Sequence, residues 1–143
     1  MTRWFALIVG IVYLVLGIAG FVPGLVQEET FPDLVVHGPG EGLLLGLFPV
    51  NVLHHIVHLL VGILGIAAYR SFDMTRLYSR GLAIFYGVLA VLGLIEAGNL
   101  NHLFGLVPIF SHDIWLHAVT AIIAAYFGGG AVDARDEAPG RVV

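Results

Sequence analysis

The sequence predicts an all-α, polytopic membrane protein: a four-helix transmembrane bundle built from two repeated helical hairpins. Three observations carry that expectation. The chain of 143 residues is 59% hydrophobic and 11% charged, with a mean hydropathy of +0.97, whereas a soluble domain is about half apolar and about a quarter charged. Too few polar residues are present to cover a globule of this size in water. The second observation is a set of long runs without Asp, Glu, Lys or Arg, and the third is a self-match of the chain at a fixed offset.

About 20 residues at about 1.5 Å rise cross the hydrocarbon of a bilayer. Trp4 to Val26, Val50 to Tyr69 and Ile114 to Val132 are each free of charge. The run between Arg80 and Glu96 is shorter, but Arg80 can snorkel and Glu96 can sit at the interface. Spans are therefore expected at 4–26, 50–69, 78–98 and 113–132, one transmembrane domain over 1–132. The first reads as an anchor rather than a signal peptide, because its apolar stretch is too long and no A-x-A-like cleavage site follows. Gly42 to Phe48 (GLLLGLF), followed by Pro49, is too short to span and is expected along the outer interface or as a re-entrant piece. Residues 133–143 read as a disordered cytoplasmic tail.

All the basic residues are arginines, and Arg3, Arg70, Arg76, Arg80, Arg135 and Arg141 fall on one side of these spans. The opposite links carry Glu28, Glu29, Asp33, Glu41 and Glu96 and no cation. The positive-inside rule then places both termini in the cytoplasm of a multi-pass protein of the inner (plasma) membrane, with the lipid bilayer as its surroundings. A net charge of −4 offers no basic surface for nucleic acid. The absence of Cys removes disulfides, thiolate nucleophiles, Cys-ligated zinc and iron–sulfur clusters. A homo-oligomer and a protein partner are left open.

Leu44-Leu45-Gly46-Leu47-Phe48-Pro49-Val50 lies over Leu103-Phe104-Gly105-Leu106-Val107-Pro108-Ile109 at an offset of 59 residues, and His58 then falls on His117. Arg3 to Gly17 matches Arg80 to Gly93 more loosely. Two hairpins of like topology imply a pseudo-two-fold axis along the membrane normal, near which His58 and His117 would meet. Gly62 and Gly65 on the second span would be answered there by Ala121 and Ala124 on the fourth.

All seven His map to the outer loops or the outer half of the second and fourth spans. Asn51, His54, His55 and His58 share an arc of about 100° on one helix, and Asp113, His117 and Thr120 form one stripe on another. Imidazoles at i and i+4 reach one ion, as in helical zinc sites. His54, His58, Asp113 and His117 are therefore the candidate metal ligands, a set that suits a transition metal and not calcium or magnesium. Zinc ranks first, with iron or copper next. Asn51, His55, Glu96, His112 and Thr120 are candidates for a surrounding shell. The bland alternatives are real: Asn51 and Asp113 stand where helix N-caps belong, and the His set can serve as interhelical hydrogen-bonding glue. His37 and His102 read as exposed loop residues, and Trp4, Trp115, Tyr69 and Tyr78 as interfacial aromatics.

The motifs Pro49-Val50-Asn51-Val52-Leu53-His54-His55-Ile56-Val57-His58-Leu59-Leu60-Val61-Gly62 and Val107-Pro108 with Asp113-Ile114-Trp115-Leu116-His117 resemble the bacterial membrane family labelled domain of unknown function 4383. The resemblance covers roughly Trp4 to Gly130. It implies four membrane helices and no established activity, and it matches at Asn51, His54, His58, Asp113 and His117. That family commonly carries Asn at the position of His55, so His55 departs from the pattern. Three functions compete, with a transporter, which would need to oligomerise, as a weaker fourth. The first is a transition-metal site opening to the outer face, structural or hydrolytic, with Asp113 as ligand, base or orienting partner. The second is a haem or quinone protein with His58 and His117 as axial ligands, and the third is a non-catalytic structural or interaction protein with a hydrogen-bonded polar core.

Overall fold

A computed structural model describes residues 1–129. The end of the fourth expected span, the expected tail at 133–143, Arg135 and Arg141 lie outside the described residues. Four α-helices run Thr2–Ala19 (α1), Val52–Ala68 (α2), Phe72–Gly93 (α3) and His112–Gly128 (α4), with a short 3₁₀ helix at Ala97–His102. α1 packs along α2 and α3 along α4, and the two hairpins meet more lightly. Among the described residues α1 is the one helix long and apolar enough to cross a membrane, while α2 is apolar but shorter. At 17 residues each, α2 and α4 are about 25 Å long.

Local chemistry sets the helix ends. α1 stops at Ala19, well short of Val26, as the chain turns through Phe21 N–H to Ile18 O (3.0 Å) and Val22 N–H to Ala19 O (3.1 Å). Pro23 then has no N–H with which to resume a helix. α2 is capped by Asn51, whose side-chain oxygen accepts from His54 N (3.0 Å). α3 begins at Phe72, earlier than the expected Tyr78, because Ser71 caps it and Asp73 suits its first turn. It ends at Gly93, before the positive φ of Gly98 (67°) and Asn99 (60°).

The all-α expectation needs a correction. A small antiparallel sheet, in the order β1 (Val26–Glu28), β2 (Gly42–Leu44) and β3 (Phe48–Val50), covers the end of the bundle where α2 begins. Its register pairs Val26 with Leu44 and Leu44 with Phe48. The segment expected to lie along an interface is thus a β-hairpin with Leu44, Pro49 and Val50 buried. Leu45 (φ 54°) and Gly46 (φ 70°) form its turn, closed by Leu47 N–H to Leu44 O (3.1 Å). Only glycine enters that left-handed region without steric cost, and Gly46 supplies it.

The same turn recurs at Phe104 (φ 58°) and Gly105 (φ 86°). Gly105 N–H bonds His102 O and Leu106 N–H bonds Leu103 O, as Gly46 N–H bonds Leu43 O and Leu47 N–H bonds Leu44 O. At the opposite end Arg3 Nε donates to Tyr69 O (2.7 Å) and Arg80 Nε to Gly128 O (2.8 Å). Each hairpin thus closes with an arginine of its first helix on the last carbonyls of its second.

Gly62 and Gly65 do not face Ala121 and Ala124 across an axis. They pack α2 onto α1, where a Cβ on Gly62 would come within 2.6 Å of Leu14 N and one on Gly10 within 2.7 Å of Ile66 N. The second hairpin sets Ala121 opposite Gly87 of α3 instead. Glycines there bring the backbones close, and shape complementarity within each hairpin decides their partners. Phe5, Tyr13, Leu82, Tyr86, Leu89 and Ile109 form the core between the hairpins. The outward faces carry exposed Ile8, Val15, Leu60, Leu64, Ile84, Val91, Trp115 and Ile122, whereas Thr2, Thr75 and Ser79 are buried. Tyr78, expected as an interfacial aromatic, instead turns its hydroxyl inward to donate to Val61 O (3.0 Å).

Candidate metal centre

Two helices deliver the candidate ligands. The Asn51 cap fixes the first turn of α2, and one turn of helix separates His54 from His58, so both imidazoles leave the same face with ring centroids 4.4 Å apart. On α4, Asp113 and His117 stand one turn apart, with His117 Nε2 3.4 Å from Asp113 Oδ2. His54 Nε2 reaches the same oxygen at 3.7 Å, and the His54 and His117 rings lie 6.0 Å apart. His54, His58 and His117 each offer a nitrogen such that the three lie within 4.8 Å of one another. One ion can be reached by all three.

The four residues are 0–2% exposed, which decides how their polar atoms must be satisfied. Both ring nitrogens of His58 and of His117, Nδ1 of His54 and both carboxylate oxygens of Asp113 are buried without a hydrogen-bond partner among the described residues. Each orphaned polar group costs about 1–3 kcal/mol, and native interiors hold few of them. A cation bound by the imidazoles and balanced by the carboxylate would satisfy several at once. Asp113 does not cap α4: Ser111 holds the N-cap position, without a side-chain capping bond, and the carboxylate points into the cluster.

The remaining expected residues divide. Asn51 Nδ2 donates to Val36 O (2.9 Å) and Leu106 O (2.8 Å), tying the loops before α2 and before α4 over the site. His55 is buried but turned toward the loop, where its Nε2 donates to Gly40 O (2.9 Å) and its ring meets Phe21 edge-on. Thr120 exchanges a 2.8 Å hydrogen bond with Tyr13, whose ring stands edge-on to His58 at 5.0 Å. Glu96 and His112 are exposed and do not join the cluster. His37 stays exposed and pairs with Glu41 (2.9 Å). His102, expected in an exposed loop, is 9% exposed, with its ring 4.9 Å from Phe110. The tight turn at Phe104-Gly105 folds it inward.

Two residues went unmarked in the sequence: Tyr13, against His58, and Tyr86, whose ring lies 4.8 Å from His117 and whose hydroxyl is buried. The available signal was depth, since a tyrosine in mid-span is out of place as an interfacial aromatic. The three imidazoles also line a cavity of about 30 Å³ whose other walls include Val57, Phe85, Leu89 and Val107.

A helical bundle with three buried, convergent imidazoles and one carboxylate defines a small helical protein with a candidate transition-metal centre. The chain belongs to the family described as Domain of unknown function (DUF4383), whose model matches residues 3–129. No curated protein and no solved structure matches the chain.

Proposed function

We propose that this chain is a four-span integral membrane protein that holds a transition-metal ion, zinc in first place and iron or copper next, on His54, His58 and His117 with Asp113 beside them. The carrying observation is that nitrogens of these three imidazoles converge within 4.8 Å in a buried place where most of their ring nitrogens have no hydrogen-bond partner among the described residues. A bound ion of this kind supplies Lewis acidity or an open coordination position. Asp113 offsets its charge and orients the imidazoles of His54 and His117 from their shared oxygen, the role outer carboxylates play at metal-bound histidines. Tyr13 and Tyr86 pack on His58 and His117 and hold the rings in place.

The membrane reading is supported by apolar outer faces on all four helices, while His, Asp, Thr and Ser side chains are buried among the apolar core. Described arginines gather at the end opposite the histidines, favouring cytoplasmic termini and an outer site. The repeat is supported by the paired turns, the paired arginine closures and the Gly10/Gly62 and Gly87/Ala121 contacts. A cavity of about 30 Å³ gives a porphyrin no room, so an ion is favoured over haem. A purely hydrogen-bonded core is disfavoured by the orphaned nitrogens.

Elemental analysis tests the proposal. Protein purified without chelator or nickel resin is expected to carry a stoichiometric transition metal, and His58→Ala is expected to lose it. A folded wild-type chain that retains no zinc, iron or copper after equilibration with each overturns it.

A further inference from the structure

The metal cluster does not end at its ligands. The cavity of about 30 Å³ against His54, His58 and His117 is walled otherwise by Val57, Phe85, Tyr86, Leu89 and Val107 and their neighbours. That volume holds about one water-sized or diatomic molecule. With nearly all non-imidazole walls apolar, a water or a charged ligand there would have the ion as its one strong partner and the rest of its polar surface unsatisfied. A small neutral ligand is the occupant whose chemistry fits.

Val57 and Phe85 also line a second, outer space. Between α2 and α3 lies a groove of about 330 Å³, formed by Val57, Leu60, Leu64, Tyr78, Gly81 and Phe85, on the apolar flank of the bundle. Phe85 is 42% exposed, so the ring forms the outer wall of the cavity and the inner wall of the groove. Gly81 keeps that groove open: a Cβ built there meets no atom within 4 Å. A glycine inside a helix costs about 0.5–1 kcal/mol relative to alanine, and no close packing at Gly81 explains it, unlike Gly10 or Gly62.

We propose that the ligand of the ion is a neutral diatomic gas, of the class of dioxygen, nitric oxide or carbon monoxide, that reaches it sideways from the hydrocarbon through the α2–α3 groove, past Val57 and Phe85. This rests on the metal reading above with iron(II) or copper(I) as the ion, because closed-shell zinc(II) has no redox electrons to share with such a gas. Such molecules dissolve better in hydrocarbon than in water, so an entrance on the lipid-facing flank meets them where they are concentrated. Binding is reversible coordination to the reduced ion: carbon monoxide binds with no net electron transfer, and dioxygen draws electron density from the metal and returns it on release.

The test uses the full chain in lipid nanodiscs, loaded anaerobically with Cu(I), with carbon monoxide as the probe. Copper content is measured first, then the C–O infrared band, then rebinding after flash photolysis. Wild type is expected to show the band. Gly81→Phe, which fills the groove, is expected to slow rebinding by about tenfold or more, a barrier increase of about 1.4 kcal/mol, with copper content and band position unchanged. Val57→Ala, which widens the passage, is expected to speed it, and it keeps the question open to refutation if Gly81→Phe misfolds. A chain that retains no metal fails the metal reading and this inference together. A chain that retains metal but shows no carbon monoxide band, or whose rebinding is the same in wild type and both variants, overturns this inference alone.

Discussion

At the scale of single residues, Asp113 separates the readings most sharply. Its position one residue into α4 suits a first-turn acid, yet the structure spends its carboxylate on His54 and His117 and gives it no backbone N–H. Asp113→Asn keeps the shape and removes the charge. It is expected to lower transition-metal affinity by about 10–100-fold, as loss of an outer carboxylate partner does, while far-ultraviolet circular dichroism stays unchanged because no cap is lost. Chelator competition measures the first and spectroscopy the second. An unchanged affinity would remove Asp113 from the site. The spacing of His54 with His58 and of Asp113 with His117 was legible in the sequence, because a helix repeats its face every three to four residues. The places of His55 and His102 were not, since each is set by a loop carbonyl or a left-handed turn that brings distant chain against it.

At the scale of elements, apolar runs announced the four helices, but their ends were decided by particular groups: Pro23, the Asn51 and Ser71 caps, and the positive φ of Gly98 and Asn99. The sheet was hidden because each strand is three residues long, too short to show alternation, and because its turn reads as part of an apolar run. Glycine's two uses were equally hidden. Gly62 admits the α1 backbone, whereas Gly81 faces open space. Gly62→Ala is therefore expected to destabilise the chain by about 1–3 kcal/mol through overpacking, and Gly81→Ala to leave it unchanged or stabilise it by about 0.5–1 kcal/mol. Thermal melts of both variants in one detergent check this. Equal losses would mean that helix propensity, and not the α1–α2 contact, governs both positions.

At the scale of the whole molecule, one polarity runs from end to end. The arginine closures at Tyr69 and Gly128 mark one pole, and the sheet, the paired glycine turns and the histidines mark the other. Each of the four α-helices connects the two, so under the four-span proposal a single orientation in the bilayer would fix all the loops together. Excess arginine holds a loop in the cytoplasm, so the four-span proposal predicts the turn between α2 and α3 inside and the β1–β2 connection outside. The chain has no cysteine, so single thiols report without background. Thr30 and Asp73 are exposed residues near opposite poles. Thr30→Cys is expected to react with a membrane-impermeant maleimide on intact cells, and Asp73→Cys only after the membrane is permeabilised. The reverse pattern would place the metal centre at the cytoplasmic face. Labelling of both in intact cells would mean that the helices do not span the bilayer as a set, and the apolar outer faces would then need a protein partner in place of lipid.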